Sequence, residues 1–292
     1  METTELLKKV RKIEIKTRGL SSHIFSGEYH SAFKGRGMSF SEVREYQYGD
    51  DIRAIDWNVT ARFNQPFIKI FEEERELTVM LLVDVSRSSF FGTENQMKDE
   101  MITEICAVLS FSAINNNDKV GVIFFSDTIE KFIPPKKGRS HILRIIRELL
   151  DFEPKGTGTN ITEVLRYLTN VMKKRSIVFI LSDFIDQKEF KDALSIANKK
   201  HDVVGIKIYD RHEKELPDIG LVRVFDAETG QQIWIDTSRK KVRIAYGEYF
   251  KNMEHRAKNA FMRSGADLIS ISTRDSYVKA LMGFFKSREN RR

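Results

Sequence analysis

The sequence predicts an α/β fold: a doubly wound, mainly parallel sheet with an N-terminal extension and an inserted β-hairpin. From residue 77 onward, short apolar strand-like runs alternate with amphipathic helix-like segments, the pattern of a parallel sheet covered by helices. Hydrophobic residues make up 41% of the 292 residues, which is enough apolar material for a sizeable buried core. Between residues 217 and 237 the apolar period changes to two, and there the hairpin is expected.

The main domain is expected over residues 76–292, and its elements follow in order. Its strands are predicted at 77–84, 119–125, 129–133, 176–181, 203–209 and 267–271. Its helices are predicted at 96–115, 139–150, 161–173, 187–199, 243–264 and 275–286. Pro134 and Pro135 are expected to end the strand before them, because proline cannot donate to a sheet. The insertion is assigned to about 217–240, with Asp-Ala-Glu-Thr-Gly at 226–230 as its turn.

Residues 1–75 differ from this pattern and are assigned to an N-terminal extension. A charged helix is predicted at 5–16, followed by an irregular stretch and a short strand at 68–71. Alternate residues from Phe40 to Tyr46 fall on one face of an extended chain. Few aliphatic residues occur in this region, so it is expected to pack on the main domain.

Composition narrows the functional classes. The first residues contain no apolar stretch typical of a secretory signal, and no apolar run approaches the length of a bilayer-spanning helix. The single cysteine, Cys106, is compatible with a reducing compartment, and the protein is expected in the cytoplasm. The formal charge is +7, but residues 1–18 and 286–292 carry an excess of three positive charges each. The body is therefore close to neutral, which argues against a groove for nucleic acid.

Oxygen-bearing side chains follow two of the predicted strands. Asp84, Ser86 and Ser88 come directly after the first strand, and Asp183 comes after another. Thr159 lies in the intervening Gly-Thr-Gly-Thr-Asn loop. In a doubly wound sheet the carboxyl ends of neighbouring strands open onto one crevice at the point where strand order reverses. The sequence therefore predicts that these side chains face one site.

Mg²⁺ or Mn²⁺ is the expected occupant of this site. Hard divalent ions prefer oxygen ligands, and Mg²⁺ keeps several waters, so few side-chain ligands are enough. A remaining position can accept an oxygen from outside the protein. The structural alternative is that Ser86 and Ser88 cap the next helix while Asp183 merely ends a strand.

These residues, in this order, resemble a known domain. Residues 77 to about 286 look like a von Willebrand factor type A domain with its metal-ion-dependent adhesion site. The resemblance implies that Ser86 and Ser88 are direct ligands, that Thr159 is the loop ligand, and that Asp84 and Asp183 are the charged members. Thr157 is a rival for Thr159, but Thr-Asn-Ile entering a helix fits the pattern better.

A second resemblance covers the segment before the first strand. Residues 40–57 match the signature F-x-E-x-R-x-Y-x-x-G-D-x-x-R-x-I-D-W of the family catalogued as domain of unknown function 58. Members of that family frequently accompany MoxR-type AAA+ ATPases. The resemblance therefore implies an adaptor or chaperone-like partner of such an ATPase.

The same motif brings together three acids and three arginines: Glu42, Arg44, Asp50, Arg53, Asp56 and Arg62. One interpretation is a network of ion pairs that fixes the segment to the main domain, and the other is a charged surface facing a partner. Equal numbers of each sign favour pairing.

The leading hypothesis is thus a binding protein, in which the ion accepts a carboxylate from a protein partner, and not an enzyme. The alternative is a metal-assisted phosphoester hydrolase that uses the same ion. The sequence offers no general base beside the site and no second carboxylate cluster. It also lacks the histidine spacing of a catalytic zinc site and a phosphate-binding loop of the G-x-x-x-x-G-K-[ST] type.

Overall fold

The computed structural model describes residues 3–20, 29, 33, 38–73, 76–92, 97–225 and 232–291. Short 3₁₀ turns lie at Ile52–Ala54 and Arg87–Phe90. The other elements, in chain order, are α1 (Thr3–Leu20), β1 (Met38–Glu45), α2 (Trp57–Phe63), β2 (Phe67–Glu73), β3 (Thr78–Asp84), α3 (Lys98–Asn115), β4 (Lys119–Phe125), β5 (Ile129–Lys136), α4 (Arg139–Asp151), α5 (Ile161–Val171), β6 (Ile177–Ser182), α6 (Lys191–Lys200), β7 (Asp202–Tyr209), α7 (Arg211–Lys214), β8 (Leu221–Phe225), β9 (Gln232–Asp236), α8 (Lys240–Ser264), β10 (Asp267–Ser272) and α9 (Tyr277–Glu289).

The central sheet has six strands in the order β10-β7-β6-β3-β4-β5. All neighbours are parallel except β5, which is antiparallel to β4 at one edge. The chain first builds outward from β3 through β4 and β5, then returns to the other side of β3 with β6. Strand order therefore reverses between β3 and β6, and the predicted doubly wound, mainly parallel sheet is confirmed.

Helices cover both faces of this sheet. On one face Leu81 and Val83 of β3 pack with apolar residues of α3 and α9. On the other face Met80 and Leu82 pack with residues of α5, α6 and α8. Because both faces are buried, the strand is a continuous apolar run and not an alternating one. The run ends on Asp84, which places a carboxylate at the edge of the core.

Helix α1 packs on the main domain. Its Val10 lies in a small apolar cluster with Phe111 of α3 and Ile142 of α4. Lys16 contacts Glu104 at 2.6 Å, a charged contact to α3 at the rim of the same interface. Helix α1 therefore lies against two helices of the main domain through these side chains.

The segment 38–73 is organised around the antiparallel pair of β1 and β2. Arg44 donates from both terminal nitrogens to the two carboxylate oxygens of Asp50, each at 2.8 Å. Asp56 caps α2 and lies 3.4 Å from Lys69. The ion pairs found among the described residues of this motif thus join parts of the segment to one another, unlike the predicted network that fixes it to the main domain.

Three other features differ from the sequence prediction. Strand β5 continues through Pro134 and Pro135 to Lys136, because it lies at the sheet edge, where a missing N–H is tolerated. Helix α6 begins at Lys191, since Asp186 accepts the backbone N–H groups of Lys188 and Ile161 and holds the preceding residues in a loop. The short helices α2 and α7 were not predicted.

The hairpin is observed as β8 and β9, which pair only with each other within the described chain. Its predicted turn at 226–230 lies outside the described residues. No helix among the described residues combines the length and apolar character needed to cross a bilayer.

Candidate metal centre

Asp84 lies at the carboxyl end of β3, where strand order reverses, and is 1% exposed. Its Oδ1 accepts a hydrogen bond from the backbone N–H of Ser86 at 3.0 Å. Its Oδ2 accepts hydrogen bonds from the hydroxyls of Thr159 at 3.2 Å and Ser182 at 2.6 Å. Three uncharged donors from three separate segments therefore converge on one buried carboxylate.

Ser86 and Ser88 occupy the turn that follows Asp84. Their hydroxyl oxygens lie 3.0 Å apart, within hydrogen-bonding distance. Ser86 occupies the N-cap position of the 3₁₀ turn, but its side chain makes no capping hydrogen bond. Helix α3 begins after Met97, which is also without a side-chain cap. The structural alternative, in which these serines cap the next helix, is therefore not what the chain adopts.

Thr159 lies in a loop whose backbone is held by several hydrogen bonds. Glu130 Oε1 accepts the backbone N–H groups of Gly156 at 2.7 Å and Lys155 at 3.1 Å, together with the Ser126 hydroxyl at 2.7 Å. Thr157 contributes its carbonyl oxygen to the N–H of Arg87 at 3.3 Å. The hydroxyl that reaches Asp84 therefore comes from Thr159, whereas the contact described for Thr157 is through its backbone.

Asp183 lies one residue beyond β6 and is also buried. Its Oδ1 accepts the backbone N–H of Ile185 at 3.1 Å, which shapes the turn after the strand. Phe184 has a φ of +57°, a left-handed backbone conformation that is uncommon for an aromatic residue. The sharp turn that follows directs the chain away from the sheet just after the carboxylate.

Lys98 is a member of this site that the sequence analysis missed. Its side chain is 1% exposed, and its Nζ lies 3.0 Å from Asp183 Oδ2 and 2.5 Å from Glu213 Oε1. Lys98 belongs to the charged run Lys-Asp-Glu, which is typical of a solvated first helical turn. The available signal was the helical period, because Lys98 lies three residues before Met101 and seven before Ile105 on the buried face.

Glu213 was missed because the short helix α7 was missed. Its Oε2 accepts the backbone N–H of Asp210 at 2.8 Å, which completes a capping box at the start of α7. The same carboxylate thus closes this helix and contacts the Lys98 ammonium. No signal in the sequence relates residues 98 and 213, since a contact across 115 positions depends on the tertiary fold.

The two aspartates have opposite electrostatic environments. Burial, together with the nearby charge of Asp183, raises the pKa of Asp84 to about 6. Burial is the largest influence on the pKa of Asp183 and acts to raise it, but the Lys98 ammonium, the backbone N–H of Ile185 and the Ser88 hydroxyl together lower that pKa below its usual value. One carboxylate therefore has a cation beside it, and the other is surrounded by neutral donors.

The donor set fits a hard divalent cation. The five predicted residues supply two carboxylates and three hydroxyls, all oxygen, which suits Mg²⁺ or Mn²⁺ better than a softer metal. Asp84 is a buried carboxylate whose described hydrogen bonds come from neutral groups, so a cation would relieve its desolvation. A different kind of metal site, built from three or more His, Cys, Asp or Glu side chains, is not found among the described residues.

A cavity of about 320 Å³ lies next to the site. Its lining includes Asp84, Val85 and Ser89 together with Lys16 of α1 and Phe152. Ser86, Ser88, Thr159 and Asp183 do not line this cavity, so it lies on the α1 side of Asp84 and is not an opening of the five-residue site.

Comparisons with known proteins give distant relatives. The chain is 27% identical over 296 residues to the uncharacterized protein Rv1480 of Mycobacterium tuberculosis, covering 99% of this chain and 91% of that one. It is 28% identical over 109 residues to the uncharacterized protein YeaD of Bacillus subtilis, covering 37% and 25% of the two chains.

Similar solved structures include the conserved hypothetical protein BatB of Bacteroides thetaiotaomicron, with 16% identity and a TM-score of 0.48 over 74% of this chain and 100% of that one. They also include the von Willebrand factor type A domain of SpRpn10, with 9% identity and a TM-score of 0.42 over 72% and 95%. Both TM-scores are below 0.5, so neither likeness carries an argument about the fold. The fold assignment rests on the strand order of the central sheet.

A family model matches most of the chain. The model of the protein of unknown function DUF58 covers residues 42–258, a range that includes the charged motif and all five predicted site residues. The resemblance noted in the sequence is thereby confirmed. The chain belongs to the DUF58 family.

Proposed function

We propose that the protein is a metal-dependent protein-interaction module. In this proposal Asp84, Ser86, Ser88, Thr159 and Asp183 hold Mg²⁺ or Mn²⁺ at the point where strand order reverses. The observation that carries the proposal is a chain of contacts between these residues: Thr159 and Ser86 contact the buried carboxylate of Asp84, the Ser86 and Ser88 hydroxyls lie 3.0 Å apart, and Ser88 contacts Asp183. When bound, the ion would act as a Lewis acid that accepts an oxygen of a partner's carboxylate.

The chain's own residues would orient the site. Ser182 and Thr159 hold the carboxylate of Asp84 through its Oδ2. Glu130 fixes the backbone of the loop that carries Thr159. These contacts position the donors before any ligand arrives, which lowers the entropic cost of binding.

A MoxR-type AAA+ ATPase is the proposed partner, and this part of the proposal rests on the family resemblance. The interaction is placed in the cytoplasm, with which the single buried cysteine, Cys106, is compatible. The proposal gives the site a binding role and no turnover.

The first test measures binding of the metal to Asp84→Asn, a variant that keeps the shape of the side chain and removes its charge. We expect the affinity for Mn²⁺, measured by calorimetry, to fall at least about 10- to 100-fold, the range found even for residues that only support metal ligands. Asp192→Asn is the matched control, because Asp192 is an exposed carboxylate on α6. It should bind Mn²⁺ like the wild type.

The second test is association with a purified MoxR-type ATPase. Wild type and Asp192→Asn should retain the ATPase in Mg²⁺, and both EDTA and Asp84→Asn should release it. Retention in EDTA and by Asp84→Asn would contradict the proposal. Phosphoester turnover that requires Mn²⁺ and disappears in Asp183→Asn would instead favour a hydrolase.

A further inference from the structure

We infer that Lys98 is a built-in cation that shares the charge of Asp183, weakens the site's hold on a divalent ion and leaves the bound ion more receptive to an external carboxylate. This inference rests on the proposed function and assigns a positioning residue to it. Lys98 makes no contact with a partner in this picture, since it acts through Asp183.

The geometry supports direct competition for Asp183. The Lys98 ammonium is almost completely buried and lies 3.0 Å from Asp183 Oδ2. Asp183 Oδ1 is engaged by the backbone N–H of Ile185. Both oxygens of this carboxylate thus already have donors, whereas the carboxylate of Asp84 has only neutral ones. A metal ion bound to Asp183 would therefore contact a carboxylate whose negative charge is already partly neutralised by Lys98.

Two consequences follow for the metal. A fixed ammonium next to the site repels a divalent ion, and burial makes this repulsion stronger than it would be at the surface. Because Lys98 shares the charge of Asp183, an ion held there keeps more of its own positive charge. Such an ion attracts an anionic ligand more strongly than one whose charge is matched by two uncompensated aspartates.

Glu213 sets the balance of this contact. Its Oε1 lies 2.5 Å from the Lys98 ammonium and competes with Asp183 for it. Removing the charge of Glu213 would leave the ammonium to Asp183 alone. Variants at Lys98 and Glu213 are thus expected to change metal affinity in opposite directions, which simple loosening of the structure would not do.

The experiment uses the full chain and two probes. Calorimetry with MnCl₂ gives the metal affinity of wild type, Lys98→Met, Glu213→Gln and the double variant Lys98→Met/Glu213→Gln. Acetate is then titrated into the Mn²⁺-loaded proteins, and its binding is followed by the fall in water-proton relaxation as metal-bound water is displaced. Lys240→Met, at an exposed position on α8, is the control for the loss of one positive charge.

We expect Lys98→Met to bind Mn²⁺ at least about 10-fold more tightly and acetate several-fold more weakly. Glu213→Gln should bind Mn²⁺ several-fold more weakly, and Lys240→Met should match the wild type in both titrations. Lys98→Met leaves two buried acids, Asp183 and Glu213, without their cation, so thermal unfolding is recorded for every variant. The double variant removes the charges of Lys98 and Glu213 and leaves only Asp183 without its cation, so it is expected to fold, and it should still bind Mn²⁺ more tightly than the wild type.

The inference is overturned if the double variant binds Mn²⁺ no more tightly than the wild type, or if acetate binding strengthens when Lys98 is replaced. A wild type that binds no Mn²⁺ would overturn the proposed function itself. The two failures are therefore distinguishable.

Discussion

At the scale of single residues, the same chemical group behaves differently according to what surrounds it. Asp84 is the last residue of β3 and Asp183 directly follows the neighbouring β6, yet burial raises the pKa of the first, while the Lys98 ammonium and hydrogen-bond donors together lower the pKa of the second. The surroundings of the buried residue His201 also determine its pKa. This histidine is 0% exposed, and within the described part of the chain neither of its ring nitrogens has a hydrogen-bond partner.

We predict that His201 lowers the free energy of unfolding in mild acid. Burial, reinforced by Lys200 and Arg175, lowers its pKa to about 4 from an ordinary value near 6.5. Between these values the unfolded chain binds a proton at this histidine that the folded chain does not, so the contribution of His201 to the free energy of unfolding falls as the pH drops from about 6.5 to about 4. One such proton contributes a slope of about 1.4 kcal/mol per pH unit.

Urea unfolding of wild type and His201→Leu at pH 7, 6, 5 and 4.5 measures this slope. The stability difference between the two proteins should shift in favour of the variant as the pH falls. If both proteins lose stability in parallel over this range, the histidine is not the source.

At the scale of elements, the loop between α4 and α5 decides whether Thr159 reaches the site. Gly156 donates to Glu130, and its position is crowded: an added Cβ would lie 1.9 Å from Asp127 Oδ1 and 2.2 Å from Ser126 Oγ. Gly158 lies in the same loop, where the nearest atom to an added Cβ is 4.0 Å away. These two glycines therefore differ in how tightly the loop is packed around them.

Gly156→Ala is predicted to weaken Mn²⁺ binding about 10-fold or more, because the loop must shift and take the Thr159 hydroxyl with it. Gly158→Ala is the matched control and should bind Mn²⁺ within about 2-fold of the wild type. The measurement is calorimetry on both variants. Equal affinities would show that the position of this loop does not affect the ion.

The sequence predicted those members of the site that are set by local pattern. Asp84, Ser86 and Ser88 follow directly from an apolar run that ends in polar residues, and Asp183 ends a strand in the same way. Lys98 and Glu213 were missed because a buried ion pair between two helices depends on which side chains the fold brings together. Ser182 was missed for a different reason: it lies just beyond the strand predicted at 176–181, and the direction of its hydroxyl follows from the register of β6.

At the scale of the whole molecule, the chain consists of one well-covered sheet and two peripheral ribbons. The six-stranded sheet is buried on both faces. The pairs β1–β2 and β8–β9 form separate two-stranded sheets in the described chain, and Trp234 of β9 is 63% exposed. The alternating pattern predicted the large sheet well because each strand and each helix can be identified from its own short stretch of sequence. The placement of a two-stranded ribbon depends instead on contacts between distant segments.

Hydrogen exchange is predicted to follow this division. Backbone amides of β3, β6 and β7 should be the most protected, since they open only with the whole sheet. Amides of β8 and β9 should exchange far faster, because an isolated two-stranded ribbon is marginally stable. Mass-spectrometric exchange on the purified chain checks this order. Protection of β8 and β9 equal to that of β6 would show that another surface covers the ribbon.

The chemistry of Cys106 provides a practical route to these questions. The thiol is 0% exposed in the core, and burial raises its pKa, so it is protected from alkylating reagents. A cysteine introduced at an exposed site such as Ile233 would then be the sole reactive thiol of the folded chain. A fluorophore attached there could report the approach of a binding partner without first removing the native residue.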